Sequence, residues 1–445
     1  MVGKYKAYPE YKDSGVEWLG YIPEHWKINK LGYIGEMRNG LTYSPDDITN
    51  DGQGILVLRS SNIQNGKLCF DDNVYVNKKI PEKLYTKEND ILICSRNGSR
   101  NLIGKNALIP YEYEKYSYGA FMLIYRSSYN LYLSWVFNSI LFIHQSSSFL
   151  TTTINQLTVD NLKNFEIPIP SVKEQKEIIN FLTYETFKID TLIEKQQQLI
   201  KLLEEKRQAV ISYAVTNGLN PNVPMRDSGV EWLGEIPEHW QIWKLAHAFE
   251  IIGSGTTPPS DTNDWYGDDI NWVTTGELRE DIILSTSKKI KKKTLQYFST
   301  LKIYPKGTIL IAMYGATIGR LGILGESATT NQACCALSNS NYLFNMYLFY
   351  WLISFRQEII QLSSGGGQPN INQEKVAALK ISTPTLEEQK EIISFLDQET
   401  LKLRHLIAKA NKVIELLKER RTALISAAVT GKIDVRDWQA PTVMD

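Results

Sequence analysis

Asp13-Ser14-Gly15-Val16-Glu17-Trp18-Leu19-Gly20-Tyr21-Ile22-Pro23-Glu24-His25-Trp26 recurs as Asp227-Ser228-Gly229-Val230-Glu231-Trp232-Leu233-Gly234-Glu235-Ile236-Pro237-Glu238-His239-Trp240, with one difference, Tyr21 against Glu235. Further on, Pro170-Ser171-Val172-Lys173-Glu174-Gln175-Lys176-Glu177-Ile178-Ile179-Asn180-Phe181-Leu182 recurs in the same register as Pro384-Thr385-Leu386-Glu387-Glu388-Gln389-Lys390-Glu391-Ile392-Ile393-Ser394-Phe395-Leu396. A unit this long is domain-sized, well above the roughly 20–50 residue period of solenoids, so one module has been duplicated. Between the anchors, residues 27–169 and 241–383 share spacing and a few glycines but little sequence. A frame kept twice around two different inserts is the layout of a scaffold with two reading heads, and a two-fold protein is expected.

Two long helices are the plainest elements. In the first the apolar positions Ile179, Leu182, Ile189, Ile193, Ile200, Leu203, Val210 and Ala214 step by three and four, with Thr186, Gln196 and Arg207 filling the seam. The second repeats the seam as Ile393, Leu396, Thr400, Leu403, Ile407, Ala410, Ile414, Leu417, Arg421, Leu424 and Ala428. Such spacing over about five heptads predicts a coiled coil. Ser171-x-x-Glu174 and Thr385-x-x-Glu388 are capping-box starts, and Asn217-Gly218 and Gly431 are stops. At about 1.5 Å per residue each helix is roughly 65 Å long, near two turns of B-DNA at about 34 Å each. A long hairpin that merely stabilises the fold or drives dimerisation is the plain reading; one helix per head favours a spacer. Arg207 and Arg421, at seam positions, are expected to pair with acidic residues across the helices and fix register.

Composition narrows the rest. A chain of 445 residues forms two or more domains with real cores. Its 49 basic and 49 acidic residues balance, which argues against a purely electrostatic nucleic-acid binder and confines DNA contact to local patches. No apolar run approaches the roughly 20 residues of a membrane span and the start has no signal-peptide core, so a cytosolic protein is expected. Cys69, Cys94, Cys334 and Cys335 form no Cys-x-x-Cys pair and no histidine cluster lies near them. They read as small core residues, not metal ligands. In the inserts, 54–59 and 90–94 are strand-like and 131–137 starts a buried helix; 270–274, 307–312 and 342–362 answer them.

With these features the chain resembles the specificity subunit of a type I restriction-modification system. The carrying residues are Trp-Leu-Gly-x-Ile-Pro-x-x-Trp opening each half, and the Ile-Pro-x-Pro, Glu-Gln and Ile-Ile-x-Phe-Leu run at Ile167 to Leu182 with its copy at Ile381 to Leu396. The helix ends Glu205-Lys206-Arg207-Gln208-Ala209 and Glu419-Arg420-Arg421-Thr422-Ala423 fit as well. Ser382-Thr383 departs from the Ile-Pro pattern in the second copy, and the start through Tyr11 has no counterpart in the pattern. The resemblance implies an α+β fold: two mixed α/β target-recognition domains with internal pseudo-two-fold symmetry, separated by two long antiparallel coiled-coil helices. The expected layout is a conserved segment 1–26, a first recognition domain 27–170, a spacer helix 171–216 and a linker with the repeated segment 217–240. A second domain 241–384, a spacer helix 385–430 and a tail 431–445 follow. Each domain is expected to read one half of a split, asymmetric double-stranded DNA target, with the helices setting the unread gap. The implied partners are two adenine-N6 methyltransferase subunits, and motor-nuclease subunits when the system restricts. S-adenosylmethionine, ATP and Mg belong to those partners, and no cofactor or membrane is expected for this chain.

The residues agree with that division of labour. An adenine methyltransferase needs an Asn/Asp-Pro-Pro-Phe/Tyr loop; Asn220-Pro221-Asn222-Val223 lacks the second proline and the aromatic. The glycine-rich stretches 254–258 and 364–368 lack the strand-turn-helix context of a cofactor fingerprint, and there is no Walker lysine. No catalytic residue and no metal ligand is expected. Trp18, Trp26, Trp232 and Trp240, identical in pairs, read as anchors locking each head to the helices, with His25 and His239 structural beside them. Base readers belong in the divergent loops, because Arg pairs with guanine, Asn and Gln with adenine, and Thr or aromatic carbons meet the thymine methyl. Candidates in the first head are Arg38, Asn39, Arg59, Asn62, Arg96, Asn97, Arg100 and Thr152. In the second they are Thr256, Thr257, Thr274, Glu277, Tyr314, Thr317, Gln368 and Asn370. For any single one of these a solvated loop role is favoured over a base contact, and the candidates stand better as a set. The lysine run around Lys291 is either a solvated face or a phosphate contact. Rival classes are a protein-only coiled-coil adaptor, an enzyme with its own methyltransferase or nuclease site, and the specificity subunit of a methylation-only or type IIB-like system.

Overall fold

A computed structural model describes residues 5–49, 52–148, 156–260, 264–363 and 370–441. The chain divides into two compact units, Met1–Gln196 with Asn411–Asp445, and Gln197–Ala410. Each holds one head, the N-terminal half of one long helix and the C-terminal half of the other. The helices span Val172–Asn217 and Leu386–Val429.

In the first unit a four-stranded antiparallel sheet has the order Asn106–Leu108, Ile91–Cys94, Met122–Arg126, Glu36–Asn39. Beside it lies a sheet of Ser117–Tyr118, Ile55–Leu58, Tyr75–Val76 and Ile48–Thr49. In the second unit Leu321–Leu324, Ile309–Ala312, Cys334–Ser338 and Ile251–Ser254 occur in the same order, extended at one edge by Ile282–Ile283. The accompanying sheet pairs Ala328–Thr330 with Ile270–Val273, Lys289–Ile290 and Tyr266–Gly267. These strands read as unbroken apolar runs because the central ones are buried on both faces; all four residues of Ile91–Cys94 and of Ile309–Ala312 are buried. At the base of each head a two-stranded sheet joins the anchors, Lys27–Lys30 with Glu166–Ile169 and Gln241–Lys244 with Lys380–Thr383.

The seam behaves as its spacing requires. Leu182, Ile189, Leu203, Leu396, Leu403 and Ile414 are buried, and Ile179, Ile193, Ile200, Ile393, Ile407 and Leu417 are half-buried among exposed polar neighbours. In the first unit Ile178, Leu182, Ile189 and Ile193 share one core with Leu417, Leu424, Ile425 and Ala428 of the other helix, running antiparallel. In the second unit Val210, Ile211, Ala214 and Val215 share a core with Ile392, Ile393 and Leu396. Arg421 donates to Asp190 at 2.9 Å, the expected cross-helix pair. Arg207 has no ion pair among the described residues. Its equivalent partner by the repeat is Arg404, a like charge, so the expectation fails in the second copy.

The helices stop at left-handed glycines, Gly218 (φ 74°) and Gly431 (φ 71°), the usual C-terminal device. A Cβ on Gly431 would lie 2.3 Å from Pro23, so close packing there demands the same residue as the dihedral, whereas at Gly218 the nearest atoms lie at 3.2 and 3.3 Å and the dihedral alone decides. The first residues, which the sequence left unplaced, pack in the first unit: Lys6 bridges Asp434, Tyr5 packs edge-on against Phe181 at 5.2 Å, and Trp438 does so at 5.3 Å.

Candidate nucleic-acid interface

The joint between helix and head explains the repeated motif residue by residue. Ser171 Oγ accepts from the Glu174 N–H and Thr385 Oγ1 from that of Glu388, so one half of each capping box forms. The carboxylate does something else. Glu174 accepts the Trp26 indole N–H at 3.0 Å and meets His25 Nε2 at 2.9 Å; Glu388 takes Trp240 at 3.0 Å and His239 at 3.0 Å. The next residue in each motif, Gln175 or Gln389, donates back to the carbonyl of Pro170 or Pro384. Tyr8 adds a third donor to Glu174 at 2.6 Å, and burial with the adjoining carboxylate pushes its phenol well up. Trp26 and Trp240 are therefore the anchors to the helices. Trp18 leans on His144, and Trp232 lies edge-on to Trp351 and Phe355, so this pair is seated on helices of the heads. The departure at Ser382 has a cause too: its hydroxyl accepts the Trp351 indole N–H at 3.2 Å.

Above these joints the backbone fixes which residues of the two rims correspond. The Ser95 N–H donates to Phe121 O and the Leu157 N–H to Ser95 O; Met313 donates to Ala333 O and Ile371 to Met313 O. Gly119 donates to Leu58 O as Asn331 does to Val273 O. Single bridges Arg96–Gln156 and Tyr314–Asn370 complete the match. Hence Arg59 answers Thr274, Arg96 answers Tyr314, Phe121 answers Ala333 and Ala120 answers Gln332. Chemistry changes at each of these places while the named hydrogen bonds beneath recur.

In the first head Arg59, Arg96 and Asn97 line one cleft of about 610 Å³, with Tyr43, Ser60 and Phe121. Asn97 Nδ2 donates to Ser60 Oγ at 3.1 Å, tying the loop after Ile91–Cys94 to the loop after Ile55–Leu58. Arg59 pairs with Asp72 at 2.8 Å. Arg38 stands apart, bound to Glu36 and the Lys83 carbonyl, and Asn39 lies opposite Leu123 in the sheet. Arg100 reaches the Ser147 carbonyl at 3.5 Å. Asn62 is a correction. It is fully buried, accepting from the Arg59 N–H and donating to the carbonyls of Cys69 and Asp72, so it holds the loop and has no edge left for a base. Thr152 and Gln368 lie outside the described residues.

In the second head Thr257 donates to Gln332 at 2.6 Å, and the Thr256 carbonyl accepts from Trp272. Glu277 is half-buried; one of its oxygens accepts from the N–H and hydroxyl of Thr274, the other from the N–H and hydroxyl of Ser287, which makes it the structural counterpart of Asn62. Tyr314 is exposed, Thr317 donates to its carbonyl, and Asn370 bridges its backbone. Lys291 precedes the helix Lys292–Tyr297, its stem against Gly267, while Lys288 and Lys293 lie over Tyr266 and Trp265. Phe121 and Gln332, which the sequence did not single out, stand in the turns that precede Met122–Arg126 and Cys334–Ser338.

Among the described residues no cluster of His, Cys, Asp and Glu has the makings of a metal site. Burial pushes the Cys94 thiol up to about 11 and that of Cys335 to about 12. Both therefore stay neutral thiols in the core. No helix among the described residues is long and apolar enough to cross a membrane.

One frame repeated under two unlike rims defines a duplicated recognition module. The chain belongs to the family of the type I restriction modification DNA specificity domain, whose model matches twice, at residues 23–204 and 237–416. It is thus a specificity subunit with two target-recognition domains, the recognition part of a type I enzyme and not its catalytic part. The MjaX specificity subunit of a type I restriction enzyme from Methanocaldococcus jannaschii is 26% identical, over 94% of this chain and 96% of its own length. The StySPI specificity subunit of Salmonella potsdam is 24% identical, over 95% and 92%. A solved chain from a study of complex assembly and conformational transition of the type I R-M system is similar in fold, with a TM-score of 0.70 at 17% identity, covering 92% of this chain and 98% of that one.

Proposed function

We propose that this chain reads a split, asymmetric sequence in double-stranded DNA, one half with each head, and positions two adenine-N6 methyltransferase subunits on it. Motor-nuclease subunits join when the system restricts. The observation that carries this is the rim equivalence: Arg59, Arg96 and Phe121 against Thr274, Tyr314 and Ala333 on identical backbone frames. Two heads built to bind the same sequence would repeat their readers along with their anchors. The heads are 27–170 and 241–384; the helices 171–216 and 385–430 act as the spacer, held by the joints in 1–26 and 217–240, with 431–445 as tail.

Protein partners are supported by the helices. Phe187, Leu192 and Leu202 are exposed apolar residues, and so are their repeat equivalents Leu401, Leu406 and Leu416. Apolar positions kept exposed twice are a reason to expect the same partner twice. S-adenosylmethionine, ATP and Mg are carried by those partners. The reading places the protein in the cytoplasm, with the DNA.

The test is exchange of residues 27–170 for the corresponding head of another specificity subunit, followed by mapping of methylated adenines in cellular DNA. One half of the motif changes and the other stays. A change in both halves, or a continuous motif, refutes the reading. A chain that binds its methyltransferase but no duplex favours the protein-only adaptor.

A further inference from the structure

The cleft of the first head contains a cation with a different standing from its neighbours. Arg59 is neutralised by Asp72 at 2.8 Å. Arg96 is exposed, and among the described residues no carboxylate pairs with it. Its guanidinium carbon instead lies 5.3 Å from the centre of the Phe121 ring. Phe121 is itself 59% exposed at the cleft edge, held there by its carbonyl, which accepts from the N–H groups of both Ser95 and Arg96.

A guanidinium over an aromatic face keeps its planar fork of N–H donors free at the edge while the ring restrains its orientation. That is the preparation a bidentate contact needs, and guanine offers O6 and N7 in the major groove to receive it. The ring alongside presents an apolar surface to the neighbouring base. The equivalent place in the second head holds Tyr314 and Ala333, with no guanidinium fork and no ring at the position of Phe121. Resting on the function proposed above, we infer that Arg96 and Phe121 form the base-reading centre of the first head, that Arg96 selects a guanine in the half-target of that head, and that Phe121 packs on the adjoining base. Asn97 acts as a positioning residue by fixing the loop to Ser60.

The experiment is selection from a randomised duplex library by the full chain with its methyltransferase partner, for the native chain, Arg96→Ala, Arg96→Lys and Phe121→Ala. The native chain selects a guanine in the first half, and replacing it by 7-deazaguanine weakens binding by about tenfold. Arg96→Ala removes the preference at that one position and costs about ten- to hundredfold in affinity for the native motif; Arg96→Lys, which keeps the charge without the fork, does not restore it. Phe121→Ala relaxes the adjacent position. Three results overturn the inference: no guanine in that half, an unchanged motif in Arg96→Ala, or a uniform loss across all sequences that lysine repairs, as a phosphate contact behaves. The 7-deazaguanine measurement uses the native chain and needs no variant to fold. If exchange of the whole head also leaves the motif unchanged, the function proposed above has failed; if the exchange changes it and Arg96→Ala does not, only this assignment has failed.

Discussion

The guanidinium of Arg421 donates to Asp190 at 2.9 Å and 3.5 Å, joining the C-terminal part of the second long helix to the N-terminal part of the first. Both side chains are partly exposed, so the pair is worth about 0.5–1 kcal/mol, and Asp190→Ala loses that much. The second copy places Arg207 and Arg404 at the equivalent positions. Arg404→Asp recreates the missing pair and raises the urea midpoint, whereas Asp190→Ala lowers it. Equal effects of Arg404→Asp and Arg404→Ala would show that relief of repulsion, not a new pair, is responsible.

The two joints differ in depth. Glu174 is nearly fully buried with three donors, Tyr8, His25 and Trp26; Glu388 is more exposed and has two, His239 and Trp240. Removing the first acceptor strands buried donors. Glu174→Ala is therefore expected to cost about 2–4 kcal/mol and Glu388→Ala about 1–2 kcal/mol in denaturation experiments. Equal losses would mean that the Tyr8 contact contributes nothing.

Cysteine chemistry divides cleanly. Cys69 is partly exposed, and Cys94, Cys334 and Cys335 are buried, with burial raising all three thiols. At pH 8, with folded values near 11 and 12 for Cys94 and Cys335, almost no thiolate is present at either site. One thiol is expected to react with Ellman's reagent in the native protein and four after unfolding. Two or more fast thiols would contradict the burial.

Removal of one heptad from the first helix, Gln196 to Leu202, keeps the seam in phase and shortens the rod by about 10 Å, or roughly three base pairs. The unread gap in the methylated motif is expected to shrink by that amount, or methylation to cease, with each half-sequence intact. Full methylation with the old gap would leave the helices a purely structural role.

Much of the frame was readable in the sequence because duplication compares the chain with itself. Constant positions such as Trp26 and Glu174 had to be architecture, and the three-four seam had to be a helix pair. The exact roles were less accessible. Glu174 looked like the second half of a capping box, but its partner Trp26 is distant in sequence, and only folding shows the carboxylate turned away from the cap. The readers were hardest. Asn62 and Glu277 have the right chemistry for bases and occur in divergent loops, yet both are consumed by closing a short turn. Phe121 lies outside the loops that the sequence singles out, and its place at the cleft rim is set by its carbonyl, which accepts from the N–H groups of Ser95 and Arg96.

The first unit is assembled from two stretches of chain, whereas the second is continuous from Gln197 to Ala410. A ribosome therefore completes the second unit while the first still waits. At about 5–20 residues per second, the apolar face of Ile178, Phe181 and Leu182 emerges some 10–50 s before Leu424, Ile425 and Val429 arrive to cover it. During that interval the head made first has an open flank, and chains cut short before residue 411 never close it. Chaperone dependence and proteolytic loss should accordingly fall on the N-terminal head, even though it leads the order of synthesis.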